Sequence, residues 1–133
     1  MNEKIHAIAR QVTERMKEQG VIVHRYDAYS TNSVYLKFDY GAAYSLRISD
    51  HKGKKHLKYR FNIELDLEKP REEKRDGCWM EFYPSTQVKR CISRILQVRE
   101  CRQAKADNYQ ALVNWYKWKS ADSPGFWEQA REV

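Results

Sequence analysis

The segment Ser33-Val34-Tyr35-Leu36-Lys37-Phe38-Asp39-Tyr40 decides the fold class, because Val34, Leu36, Phe38 and Tyr40 place an apolar side chain at every second position. A period of two belongs to an extended chain with one face in a core and the other toward water. The pattern returns twice: Tyr44, Leu46 and Ile48 alternate through residues 43–50, and Leu57, Tyr59, Phe61, Ile63 and Leu65 through residues 56–66. Three consecutive antiparallel strands are therefore predicted across residues 33–66, with Leu36, Phe38, Leu46, Ile48, Phe61 and Ile63 toward the helices. Slipping any strand by one residue would expose its apolar set. The opposite face then carries Tyr35, Lys37, Ser45, Arg47, Lys58 and Arg60, which is cationic and aromatic.

Outward from this segment, residues 3–19 read as an amphipathic helix, with Ile5, Ile8, Ala9, Val12 and Met16 at three- and four-residue intervals and Gly20 as its C-terminal cap. Residues 21–29 read as a strand, residues 30–33 as a turn, and Gly41 as the hairpin into the next strand. The run 67–77 is charged throughout, with Pro70 inside it, and predicts an exposed loop or long hairpin tip. Residues 78–83 resume strand character, and Val88, Cys91, Ile92, Ile95, Leu96 and Val98 stripe a helix over 85–106. Tyr109, Leu112, Val113 and Tyr116 form a second helical stripe, and Ser123-Pro124 opens a third, short helix carrying Phe126 and Trp127. The expected architecture is a single α+β domain over 1–133: an N-terminal helix, an antiparallel four- to five-stranded sheet, and two or three C-terminal helices.

With 133 residues, a net charge of +7 and a mean hydropathy of -0.89, the chain is sized for one core under a heavily charged surface. An excess of cations favours an anionic partner, nucleic acid or nucleotide above all. The three cysteines contain no C-x-x-C pair, so no disulfide framework or zinc site is indicated and a reducing cytoplasm is expected. No segment approaches a membrane span, and no export signal is read at the N-terminus.

The loop Lys52-Gly53-Lys54-Lys55 is suited to phosphate contact, since glycine admits a close backbone and ammonium groups neutralise charge. It is not a P-loop, which needs two glycines and links a strand to a helix. Lys89, Arg90, Arg94, Arg99, Arg102 and Lys105 give the helix over 85–106 a basic character, with Arg90 and Arg94 on one face. Asp50, His51 and His56 bracket the loop without the spacing of a metal site, and His24 reads as a core histidine. Glu64, Asp66 and Glu68 before Lys69 have a weak nuclease-like pattern, but alternation assigns them to the solvent face. No catalytic residue, metal or cofactor is predicted. Of the C-terminal aromatics, Tyr116 and Trp118 are expected in the core, and Trp115 or Trp127 at an interface with another subunit or partner.

The run Ser33-Val34-Tyr35-Leu36-Lys37-Phe38-Asp39-Tyr40-Gly41, continued by Ser45-Leu46-Arg47-Ile48-Ser49-Asp50-His51, resembles a block in short uncharacterised proteins of bacterial phages and other mobile elements. The resemblance implies context and no catalytic residues: such proteins bind nucleic acid, inhibit a host defence complex, or sequester its signalling nucleotide, in the host cell cytoplasm. The leading expectation is a non-enzymatic module that binds nucleic acid or a phosphate-bearing ligand through Lys37, Arg47, Lys52, Lys54, Lys55, Lys58, Arg60, Arg90 and Arg94. The alternatives are an inhibitor of a host defence protein complex, such as an RNA-guided nuclease, and a nucleotide-sequestering homo-oligomer.

Overall fold

The computed structural model describes residues 2–29, 31–121 and 126–133. Helix α1 spans Glu3–Glu18, and the Asn2 side chain accepts a hydrogen bond from the Lys4 amide at 3.0 Å, which satisfies one of the amides that a helix start leaves open. At its other end Gly20 adopts φ +76°, while the Gly20 and Val21 amides donate back to the Lys17 and Met16 carbonyls at 3.0 Å. This left-handed cap turns the chain into the sheet.

Seven strands follow: β1 Val23–Asp27, β2 Ser33–Phe38, β3 Ser45–Ser49, β4 Phe61–Glu64, β5 Arg71–Arg75, β6 Cys78–Pro84 and β7 Arg131–Glu132, in the spatial order β5-β6-β4-β3-β2-β1-β7. The expected antiparallel sheet is corrected to a mixed one. β1, β2 and β3 pair antiparallel, but β4 runs parallel to both β3 and β6. Alternation fixes which face a residue occupies and carries no information about strand direction. The register Leu46↔Phe61 and Ile48↔Ile63 keeps the apolar residues on one face all the same. A parallel pair needs a long crossover, so residues 50–60 are spent crossing the sheet rather than extending β4 back to His56.

Leu36, Phe38, Leu46, Ile48, Phe61 and Ile63 are all fully buried, in one core with Ile5, Val12 and Met16 of α1 and Cys91, Ile92 and Ile95 of helix α2, Val88–Lys105. Burying an aliphatic or aromatic side chain of this size contributes about 1.5–3 kcal/mol, so this layer dominates the folding energy. The second face is covered by the 50–60 crossover and by the turn Phe126–Gln129.

The charged run 67–77, expected as an exposed loop or long hairpin tip, contains edge strand β5, which pairs antiparallel with β6 in a hairpin. Its tip is Asp76-Gly77, both at positive φ (+50° and +80°), the conformation that two-residue hairpins require. A fully charged edge strand also discourages pairing with other chains. Helix α3, Tyr109–Ala121, buries only Val113 and packs on the turn Asp39–Gly41. Asp39 anchors it: a buried carboxylate at φ +51° that accepts from the Ile22 amide (3.0 Å), Arg99 Nε (2.7 Å) and the Tyr109 hydroxyl (2.6 Å). The predicted cap pair Ser123-Pro124 lies outside the described residues. No helix is long and apolar enough to cross a membrane among the described residues.

Candidate functional site

Arg47 points away from the helices, yet it is only 1% exposed. The crossover closes over it, and the ion pair from its Nη1 to Glu64 Oε2 is 3.0 Å long, while its Nη2 donates to the His51 carbonyl at 2.8 Å. The other Glu64 oxygen faces Arg71 Nη1 at 3.5 Å, Arg71 Nε faces Glu73 at 3.8 Å, and Arg75 Nη2 faces Glu73 at 2.6 Å. Arginine and glutamate thus alternate across the sheet from β3 to β5. Arg75 Nη1 also donates to the carbonyls of Lys54 (3.3 Å), Lys55 (2.9 Å) and Leu57 (3.1 Å), fixing the crossover to the sheet edge.

Gly53 is needed where it stands. A Cβ there would lie 3.2 Å from Arg47 Cζ and Nη1, so only glycine lets the loop backbone rest on the guanidinium plane without displacement. Lys52, Lys54 and Lys55 are exposed and make no ion pair among the described residues. Between loop and sheet lies a cavity lined by Arg47, Lys52, Lys54, Arg71 and Arg75 with Phe82 and Met80 beneath.

The remaining predicted cations divide differently. Lys58 pairs with Asp76 at 2.9 Å, and this hydrogen bond holds the Asp76 carboxyl below its ordinary range. Arg60 and Arg94, expected on the ligand surface, both contact the buried Glu81, at 3.2 and 2.9 Å, with the Tyr83 hydroxyl donating to the same carboxylate at 2.7 Å. Arg90 is exposed and bonds Gln87, apart from the loop. Lys37 sits 4.5 Å above the Trp127 ring, and burial lowers its pKa. Glu64, expected at the solvent face, is 2% exposed. Arg71 and Arg75, which no apolar periodicity marks, stand on β5, and their one local sequence signal is the Asp76-Gly77 turn that follows.

Trp127 is half-buried over Lys37 and edge-on to Tyr35 at 6.4 Å, inside its own subunit. Trp118, expected in the core, is 67% exposed, and Trp115 is 48% exposed beside it on α3. A Cβ added at Gly41 would lie 3.4 Å from the Tyr116 ring, so Tyr116 packs over this turn.

No protein-family model, curated protein or solved structure matches this chain. The chemistry must therefore be read from the site alone.

One constellation has the residue types of a hydrolase: Ser49, His51 and Asp50. The Ser49 hydroxyl and the Asp50 carboxylate both contact Nδ1 of His51, at 3.0 and 2.9 Å. A proton relay needs the two partners on opposite ring nitrogens, and Ser49 is 0% exposed and further bonded to Ser33 at 2.8 Å. The cluster is a structural clamp at the crossover's start. Its hydrogen bonds, from His51 first and Asn32 second, hold the Asp50 carboxyl below its ordinary range. The crossover as a whole offers hydrogen-bond donors and positive charge, the chemistry of anion capture.

Proposed function

We propose that this protein is a non-enzymatic binding module that takes nucleic acid on the 50–60 crossover and the adjoining β5 edge. The observation that carries this reading is the charge imbalance around the crossover. Arg47, Lys52, Lys54, Arg71 and Arg75 line one cavity, and among the described residues only Glu64 and Glu73 form ion pairs with them. Lys55 adds to the same surface. Polyanionic phosphate backbones release counterions onto such a surface, which supplies affinity without base contacts. The resemblance to phage and mobile-element proteins supports the same reading.

The test is fluorescence anisotropy with single- and double-stranded oligonucleotides across a salt series. The triple variant Lys52→Ala, Lys54→Ala, Lys55→Ala is expected to weaken binding and to reduce the slope of log K against log salt by about 2–3. Unchanged affinity and slope in the triple variant would remove the crossover as the interface.

A second reading, an inhibitor docking on a host defence protein complex or on a second copy, is favoured by Trp115 and Trp118, two large exposed aromatics on α3. Sedimentation of the free protein and of a Trp118→Ala variant tests the self-association arm.

A further inference from the structure

The geometry points to a site for a terminal phosphate, a phosphomonoester, in the cavity beneath the crossover. This rests on the crossover being the ligand surface and adds which phosphate it selects. Two of its lining residues carry a buried donor with no protein acceptor among the described residues: Arg47 at Nε and Arg71 at Nη2. Arg47 uses its other two nitrogens on Glu64 and His51, and Arg71 uses its own on Glu64 and Glu73. The two arginines flank one carboxylate from opposite oxygens and line the same cavity. Leaving a buried guanidinium N–H without an acceptor is costly, so the cavity is built to receive one.

The cavity volume is about 10 Å³, room for a single water-sized atom. A water would satisfy a donor and leave the charge untouched, with five cations against two carboxylates around it. A phosphate oxygen satisfies the donor and supplies the missing negative charge. Among phosphates, the terminal group fits best. It carries close to two negative charges at neutral pH and three unesterified oxygens, so one can enter the cavity while the others meet Lys52 and Lys54 at its exposed rim. A phosphodiester has only two free oxygens and one charge, so with one oxygen in the cavity it leaves a single oxygen, and half the charge, for the two rim lysines.

Free nucleotide and the end of an oligonucleotide present the same group, and calorimetry at constant ionic strength separates them. The probes are inorganic phosphate, a nucleoside monophosphate, and one oligonucleotide prepared with a 5′-phosphate and with a 5′-hydroxyl. Inorganic phosphate is expected to bind saturably, and the phosphorylated oligonucleotide to bind about tenfold more tightly than the hydroxyl form, the discrimination of one charge-assisted contact. Arg71→Lys keeps the charge and removes the second donor, and is expected to erase most of that preference. The surface pair Lys52→Ala, Lys54→Ala does the same without touching a buried group. Equal binding of the two oligonucleotides, with no binding of inorganic phosphate, would overturn the terminal-phosphate site while leaving the nucleic-acid reading intact. A nucleoside monophosphate that binds as tightly as the phosphorylated oligonucleotide would support the site and overturn nucleic acid as the ligand.

Discussion

Replacing Arg47 by Met leaves Glu64 buried at 2% exposure with Arg71 as its remaining cation, 3.5 Å away. Removing one partner of a buried ion pair costs about 3–5 kcal/mol. Because Arg71 still opposes the stranded carboxylate, the lower end applies, about 3 kcal/mol. Glu64→Leu strands Arg47 instead, whose His51 bond at 2.8 Å survives, and a similar cost of about 3–4 kcal/mol follows. If the two positions were independent, the double variant would lose about 6–7 kcal/mol, enough to unfold a domain at the lower end of the usual stability range of about 5–15 kcal/mol. The double variant instead buries two apolar side chains with no charge to desolvate, and an exchange of that kind is often neutral. Arg71 loses one of its two carboxylates, keeping Glu73, and the His51 carbonyl loses its donor, so about 2–3 kcal/mol remains as the expected loss. The double variant is thus no less stable than either single one. Urea unfolding followed by circular dichroism, with m-values checked for constancy, gives all four corners of the cycle. A cost below about 1 kcal/mol for Arg47→Met, or strict additivity in the double variant, would refute the premise that this pair is desolvated and coupled.

Gly53→Ala is expected to cost about 1–3 kcal/mol as overpacking, because Arg47, 3.2 Å from the new Cβ, is pinned by Glu64 and His51 and cannot retreat; faster amide exchange over residues 50–60 should accompany the loss in urea unfolding. Tyr109→Phe removes the 2.6 Å bond to Asp39 at a cost of about 1 kcal/mol, and since Val113 is the one fully buried residue described in α3, hydrogen exchange should accelerate over α3 more than over α2. Burial, aided by Lys37 and opposed by Glu132, lowers the His24 pKa from its ordinary 6.5. The unfolded chain therefore takes up a proton that the folded imidazole resists, and stability should fall as pH drops through 6.5, levelling once the folded imidazole is itself protonated. A His24→Phe variant whose acid limb matches the parent would show that other groups set it.

What the sequence made legible was whatever repeats locally. The period-two runs assigned Leu36, Leu46, Phe61 and Ile63 to the core face correctly, because face depends only on parity along one strand. Strand direction depends on where the chain travels between strands, and nothing in Leu57 or Tyr59 distinguishes a β-strand from a crossover that happens to alternate. Arg71-Glu72-Glu73-Lys74-Arg75 has no apolar residue, so periodicity was silent and only the Asp76-Gly77 turn could have marked the hairpin. The largest misreading concerned charge. Glu64 is buried because its cations arrive from β3 and β5, and Arg94 and Arg99 reach from α2 to Glu81 on β6 and Asp39 after β2, partners that local periodicity does not mark.

Those partners impose a division of labour between the two basic residue types. Arg47, Arg60, Arg75, Arg94 and Arg99 each hold a carboxylate within 3.2 Å, and Arg102 donates to the Ala42 carbonyl at 2.9 Å. Lys52, Lys54 and Lys55 hold none among the described residues and stay exposed. The planar guanidinium satisfies several acceptors at once and tolerates dehydration, whereas the ammonium is strongly hydrated and favours water. Net charge therefore overstates the surface available to a ligand, since much of the arginine is consumed in holding the crossover and α2 to the sheet. Salt should act accordingly. Raising ionic strength screens the exposed lysines while the buried Arg47–Glu64 pair is shielded from counterions, so ligand binding should fall steeply over a salt range in which unfolding free energy stays nearly flat. Parallel loss of binding and stability across that range would mean that the arginine network is solvent-accessible and that the lysines are not the separate binding layer the crossover geometry implies.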